Sequence, residues 1–200
     1  VGLLLMGGAF FWVYFLDWGN PASFQFHDWT EITLPRLTFV QNALRDGSLP
    51  LHIASAESLH GLTNRFLSVP DLLLSPQIVL LLWLDVIPFV VVNLILTFLA
   101  GGIGLVWLAR RLKLSMLAFT LLFLFFHFNG HILAHISVGH YTWTAFFLFP
   151  WLIGLALRLW DDEKVGWRWV AAIAGLLFAM NLQGGYHELI WPLFFLGLLI

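Results

Sequence analysis

The chain has 200 residues, of which 60% are hydrophobic and 10% are charged, and its formal net charge at pH 7 is −2. Because this charge is slightly negative, we exclude a basic nucleic-acid-binding surface. Cysteine is absent, which excludes disulfides, thiol catalysis and thiolate metal sites.

Uncharged runs recur along the chain at about the 20 residues that a helix needs to cross a bilayer. They are continuously apolar rather than alternating, which favours helices over a β-barrel. We therefore expect an all-α membrane protein, a polytopic bundle of about six transmembrane helices. The expected spans are 1–16, 86–109, two between 113 and 158, 169–182 and 186–200. Since the first and last are incomplete, we expect a single module, 1–200, truncated at both ends.

A long polar connection, 17–71, precedes the rest of the helical bundle, 72–200. We interpret this connection as the first extracytoplasmic loop. Within it, Leu37, Val40 and Leu44 share one helical face, which predicts an amphipathic helix. Such a helix lies either on the outer leaflet or within a small outer domain, and both alternatives stay open.

Two short connections carry most of the basic residues: Arg110, Arg111 and Lys113 in one, and Arg158, Lys164 and Arg168 in the other. Short Lys/Arg-rich loops stay cytoplasmic, which predicts a multi-pass protein of a prokaryotic cytoplasmic (inner) membrane. The histidines of the opposite, outer connections are His27, His52, His60, His131, His135, His140 and His187, with His127 just beneath them. A one-sided cluster of titratable side chains indicates a functional site.

Asp28 and Glu31 are three residues apart, so on a helical turn they would share a face. A carboxylate at a membrane boundary can act as a general base, and a second can help to hold a divalent cation such as Mg²⁺ or Mn²⁺. We predict these two acids as catalytic residues and as candidate metal ligands. The spacing also fits an Asp28 that only caps the following helix, or two solvated acids.

His127, His131 and His135 are spaced by four residues and are followed by His140. On an uninterrupted helix two such rings can share a metal, so His131 and His135 are further candidate ligands. The alternatives are interfacial histidines with satisfied hydrogen bonds, and histidines that handle substrate phosphate or protons. A helix break at Asn129 would separate His127 from the others.

Arginine completes the predicted substrate-binding set, because its planar fork binds phosphate and keeps its charge. Arg36 and Arg65 are the candidate phosphate partners, and His187 opens the last span at the same outer level. The predicted substrate-binding residues are Arg36, Arg65, His27, His131, His135, His140 and His187.

A glycine cluster, Gly101, Gly102 and Gly104, lies within the second span. It follows no strand, so it is not a nucleotide-binding fingerprint. Small residues in a transmembrane helix allow close approach of a neighbour, and we expect close helix packing here.

Short motifs follow the same order as in a known family: Asp28, Pro35, Leu44-Arg45-x-Gly47-x-Leu49-Pro50-Leu51, Gly61, Asn64 and Pro70, then Gly139-His140, Trp143, Phe149-Pro150-Trp151 and Leu182-Gln183-x-Gly185. Together they resemble bacterial YfhO-type membrane proteins, which are similar to the GT-C class of polytopic glycosyltransferases. The sequence departs from that pattern at His52, where the family usually has Trp. It also lacks the tight Asp-Glu pair of protein mannosyltransferases.

The resemblance implies a GT-C-like fold and a glycosyltransferase that moves a sugar from a polyprenyl-phosphate donor to an acceptor on the extracytoplasmic face. Asp28 matches the acid that helps to activate the acceptor in such enzymes. Besides the donor, membrane lipids are the expected partners, and the oligomeric state is open. Two other classes remain: a transporter or lipid-handling protein with an outer-face histidine site, and a non-catalytic structural subunit. Transport would require His127 to line a water-filled path.

Overall fold

The computed structural model describes residues 1–48, 72–73, 75–161 and 166–185, and within them there is no β-strand. Their α-helices are α1 (Gly2–Leu16), α2 (Leu34–Arg45), α3 (Val86–Arg111), α4 (Met116–His127), α5 (Gly130–Ser137), α6 (Phe149–Asp161) and α7 (Trp167–Leu182). Pro21–Phe24, Pro76–Leu82 and Tyr141–Leu148 are 3₁₀-helices, and Trp29–Thr33 is a π-helix. The predicted span 186–200, Arg65, His187, His52 and His60 lie outside the described residues.

Three helical segments of the described chain are long and apolar enough to cross a membrane: Val86–Arg111, Met116–Ser137 and Tyr141–Trp160. Helices α1 and α7 are apolar but shorter, at 15 and 16 residues. The all-helical class and the presence of membrane-length helices are therefore confirmed. The total of six spans stays a prediction.

The predicted amphipathic helix is α2, whose apolar face packs against protein. Leu37 and Val40 are buried, and Gln41 beside them donates from Nε2 to the Leu84 carbonyl at 2.6 Å and the Leu81 carbonyl at 3.2 Å. These bonds tie α2 to the chain that leads into α3. Helix α2 therefore packs against protein through this face, and its position relative to a membrane stays a prediction.

The predicted helix break is present between α4 and α5. Helix α4 ends at His127, and Asn129 caps α5 because its side-chain oxygen accepts from the Ile132 amide at 3.0 Å. The Asn129 amide also donates to the Phe126 carbonyl at 2.8 Å, which ties the cap back to α4. His127 is therefore not on the same helix as His131.

The predicted close packing at the α3 glycines is confirmed. A Cβ atom at Gly101 would overlap the backbone carbonyl of Phe147, and one at Gly104 would meet the Trp151 ring at 2.6 Å. The same ring donates from Nε1 to the Ala100 carbonyl at 2.8 Å. Glycine at these positions thus allows the 141–161 segment to lie directly against α3.

The two basic connections meet at one end of the helices. Arg111 donates from Nη2 to the Leu157 carbonyl at 3.1 Å, which places the end of α3 beside the end of α6. The Arg158 guanidinium lies 5.1 Å from the centroid of the Trp169 ring at the start of α7. The ends of α3 and α6 and the start of α7 therefore lie together.

We expect Gly101→Ala to lower the free energy of unfolding by about 1–3 kcal/mol, because the neighbouring atom is backbone and cannot move aside. Gly175→Ala is the matched control. Nothing lies within 4 Å of a Cβ there, so the better helix propensity of alanine leaves stability unchanged or raises it. Thermal unfolding in detergent, followed by circular dichroism, measures both variants. Equal unfolding midpoints for the two would contradict the packing interpretation.

Candidate functional site

Two segments far apart in sequence are joined where the candidate site forms. The first, 28–33, follows α1 and includes the π-helix, and the second is the turn 137–140 after α5. Three hydrogen bonds connect them: Asp28 N to the Val138 carbonyl (3.1 Å), Trp29 Nε1 to the Ser137 carbonyl (3.0 Å) and Thr33 Oγ1 to the Gly139 carbonyl (2.7 Å). We call this set of contacts the joint.

Glycine is required at the centre of the joint. Gly139 has a φ of +96°, a conformation that L side chains rarely adopt. A Cβ atom there would also overlap the backbone amide of Trp29 and lie 2.8 Å from the Asp28 carbonyl carbon. The Trp29 ring is itself buried and packs edge-on against Phe24 at 4.9 Å. The two backbones therefore touch, with no space for a side chain between them.

The joint brings Asp28 together with two of the predicted histidines. His140 Nε2 lies 2.7 Å from Asp28 Oδ2, and His140 Nδ1 lies 2.6 Å from His135 Nδ1. An ionised carboxylate only accepts hydrogen bonds, so His140 carries a proton on Nε2 and donates it to Asp28. Of the two facing Nδ1 atoms, one carries a proton and donates it to the other. Asp28, His140 and His135 thus form a continuous hydrogen-bonded chain.

Aromatic contacts fix the far end of this chain. The His135 ring is stacked on Trp143, with 4.2 Å between centroids and 14° between planes. His131 meets His135 edge-on at 4.4 Å and Trp143 at 4.6 Å. His131 thus belongs to the cluster, although its own side chain is exposed.

A half-open cleft of about 350 Å³ lies over the chain of hydrogen bonds. Four predicted site residues line it together with two aromatic residues: Asp28, Arg36, His135, His140, Tyr141 and Trp143. Arg36 comes from the first turn of α2, next to the joint. The cleft therefore combines a carboxylate, two imidazoles and a guanidinium.

The remaining predicted site residues do not line this cleft within the described chain. His27 and Glu31 are exposed on the segment that carries Asp28. His27 has a φ of +48°, and its carbonyl accepts from the Thr30 hydroxyl at 3.0 Å. Arg65 and His187 lie outside the described residues, so their roles stay predictions.

The candidate metal ligands are not arranged as a cage in the described residues, which contain no group of three or more histidine or acidic side chains placed to hold a metal ion. The reason is visible at His140, where both ring nitrogens face hydrogen-bond partners, Asp28 and His135. The predicted Mg²⁺ or Mn²⁺ therefore has no defined ligand set here and stays a prediction.

His127 is separate from the cleft and buried among phenylalanines. Its ring lies 4.5 Å from Phe123, 4.8 Å from Phe98 and 5.5 Å from Phe147, centroid to centroid. Nδ1 lies 3.2 Å from the Phe123 carbonyl and donates to it. The His127 ring therefore faces protein within the described chain.

Two buried polar residues that we did not predict are Tyr141, which lines the cleft, and Asn93. Tyr141 is buried, and its hydroxyl donates to the Val90 carbonyl at 3.1 Å. On the next turn of α3, Asn93 is fully buried and its amide lies 3.5 Å from Gln183 Oε1. Asn93 is a polar residue within an apolar span, which is the sequence signal that marks it.

Comparisons of the chain with protein-family models, with curated proteins and with solved structures found no match. The resemblance to YfhO-type and GT-C proteins therefore stays a prediction.

We expect Gly139→Ala to lower the midpoint of thermal unfolding, because alanine has to adopt a positive φ and overlaps the amide of Trp29. The cost should be on the order of 1–3 kcal/mol. Gly130→Ala is the control, since nothing lies within 4 Å of a Cβ at Gly130. If both variants unfolded at the wild-type temperature, the close backbone contact at the joint would be wrong.

Proposed function

We propose that the chain is a membrane glycosyltransferase of the GT-C type, or a module of one. It would move a sugar from a polyprenyl-phosphate donor to an acceptor hydroxyl on the extracytoplasmic face of a prokaryotic cytoplasmic membrane. The observation that carries this proposal is the hydrogen-bonded chain of Asp28, His140 and His135 in one cleft with Arg36. This combination supplies a proton acceptor and a phosphate partner side by side.

The position of the cleft along α3 supports the outer location. Tyr141 in the cleft wall bonds to Val90, near the start of α3, whereas Arg110 and Arg111 end the helix. About 30 Å of helix separates these levels, which is the thickness of a hydrocarbon core. Basic residues stay cytoplasmic, so the cleft faces the other side. The proposed topology takes α1, α3, α4–α5, 141–160 and α7 as five spans and the predicted span 186–200, which lies outside the described residues, as the sixth.

Asp28 is the general base in the proposed reaction. His140 occupies its Oδ2 atom, and the second carboxylate oxygen takes the proton of the acceptor hydroxyl. The acceptor oxygen forms a bond to the anomeric carbon of the sugar, while the bond from that carbon to the phosphate oxygen breaks. The phosphate leaves with the electron pair of the broken bond, so the atoms and charges balance.

Arg36 is the proposed partner of the departing lipid phosphate. A guanidinium binds phosphate through two parallel hydrogen bonds, and a low-dielectric membrane boundary strengthens them. His135, which also lines the cleft, can add a donor from Nε2, because its Nδ1 atom faces His140. A lipid donor also explains the position of the site at a helix end, since its phosphate stays at the surface while its tail remains in hydrocarbon.

The environment of His127 favours this enzyme over a transporter. Transport relays place an ionisable residue along a hydrated path within the bilayer. In the described chain His127 packs among Phe98, Phe123 and Phe147 and lies outside the cleft. The ionisable groups that share a cleft are instead at the membrane boundary.

Asp28→Asn should lower sugar transfer by roughly 10²- to 10⁴-fold, because an amide cannot take a proton. The measurement is transfer of labelled sugar from a panel of polyprenyl-phosphate sugars by protein reconstituted in liposomes. Asp46→Asn, an exposed acid at the end of α2, is the control and should retain the wild-type rate. Transfer by Asp28→Asn at the wild-type rate would rule out the proposed mechanism.

Arg36→Gln should raise the KM for the donor by about 10-fold, since a charge-assisted hydrogen bond contributes about 1.5–3 kcal/mol. Arg36→Lys should recover part of the loss, because it restores the charge but not the planar fork. Arg45→Gln is the control on the same helix, where Arg45 forms an exposed ion pair with Asp85 at 3.5 Å. Equal KM values for Arg36→Gln and Arg45→Gln would contradict a phosphate-binding role.

A further inference from the structure

We propose that Thr33, together with Trp29, is a positioning residue that sets the distance between Asp28 and His140. The proposal rests on the proposed function, in which this pair removes the acceptor proton. Thr33 lines the cleft with its hydroxyl bonded to the Gly139 carbonyl, and Trp29 is buried and does not line it. They would act through the backbone on each side of the pair.

Asp28 and His140 need such a device because they come from separate segments. Asp28 follows α1 and begins the π-helix, whereas His140 ends the turn after α5. The hydrogen bonds of the joint connect residues 106 and 108 positions apart. No helix holds both residues, so their separation depends on how the two segments are bonded to each other.

The Thr33 hydrogen bond lies next to both members of the pair. Its acceptor is the carbonyl of Gly139, the residue directly before His140, and the distance of 2.7 Å is the shortest in the joint. Its donor is five residues after Asp28, at the end of the single π-helical turn. In a π-helix the backbone hydrogen bonds join residues five apart, so Asp28 and Thr33 lie at the two ends of the same π-helical turn.

Trp29 lies at the start of the π-helical turn. Its Nε1 donates to the Ser137 carbonyl at 3.0 Å, and its ring is buried. With Thr33 on Gly139 and Trp29 on Ser137, both sides of Val138 are fixed. Asp28 itself bonds to the carbonyl of Val138. The turn 137–140 is therefore held along its length against the segment 28–33, which carries the Asp28 carboxylate.

The kinetic test compares Thr33→Val, which removes the hydroxyl but keeps the shape, with Thr33→Ser, which keeps the hydroxyl. Misplacing a reacting group by about 1 Å costs up to roughly 10²-fold in rate, so Thr33→Val should lower kcat by 10- to 100-fold. The KM for the donor should not change, because Arg36 on α2 is untouched. Thr33→Ser should restore kcat, and Trp29→Phe, which removes the second donor, should lower it.

Thr30→Val is the matched control. It makes the same chemical change within the same segment, but the Thr30 hydroxyl bonds locally to the His27 carbonyl at 3.0 Å. Its kcat should equal that of the wild type. A wild-type kcat for Thr33→Val, or a Thr33→Ser variant as slow as Thr33→Val, would overturn the positioning role.

A second readout is independent of catalysis. In ¹⁵N-histidine NMR of the whole chain, the His140 signal is the one lost in His140→Asn. Asp28→Asn and Thr33→Val should both shift its Nε2 resonance, and Thr33→Ser and Thr30→Val should not. If Asp28→Asn transfers sugar normally, the proposed function fails. The NMR comparison then tests on its own whether Thr33 positions His140 relative to Asp28. An unchanged His140 resonance in Thr33→Val would then refute it.

Discussion

The arrangement of the whole site depends on which donors bond to the backbone carbonyls of the turn 137–140. Helix α5 ends at Ser137, so the carbonyls of Ser137 and Val138 have no partner within that helix, and the Gly139 carbonyl has one local partner, the Tyr141 amide at 2.7 Å. The donors come from Trp29, Thr33 and the Asp28 amide. The contact that satisfies this backbone is also the contact that places Asp28 beside His140. Structural and chemical requirements are therefore met by the same hydrogen bonds.

Features set by local chemistry were predictable from the sequence. Uncharged runs longer than a bilayer is thick have few alternatives to helix, and α3 follows its run closely. The break after α4 was predictable at Asn129, because an asparagine side-chain oxygen readily caps the start of a new helix. Gly101 and Gly104 indicated close packing because the absence of a Cβ lets a neighbouring segment approach the helix backbone.

The arrangement of the site was not predictable, because the residues that form it meet through tertiary contacts. Spacing by three suggested that Glu31 and Asp28 share a helical face, but the segment is π-helical and its wider turn directs Glu31 to the surface. Spacing by four correctly brings His131 and His135 into contact on α5, but the Asn129 cap separates His127 from them. His140 reaches Asp28 instead through a positive φ at Gly139, which periodicity does not reveal.

The histidines occupy two environments, one buried among aromatic rings and one where the helices end. A single imidazole below the surface, His127, lies among aromatic rings with one backbone partner. Where the helices end, His140 and His135 instead bond to each other and to a carboxylate. Charge developing on such a group costs several kcal/mol in hydrocarbon but little beside water and a counter-ion. The proposed acid–base chemistry therefore uses the groups at the helix ends, where a carboxylate and two imidazoles share one cleft.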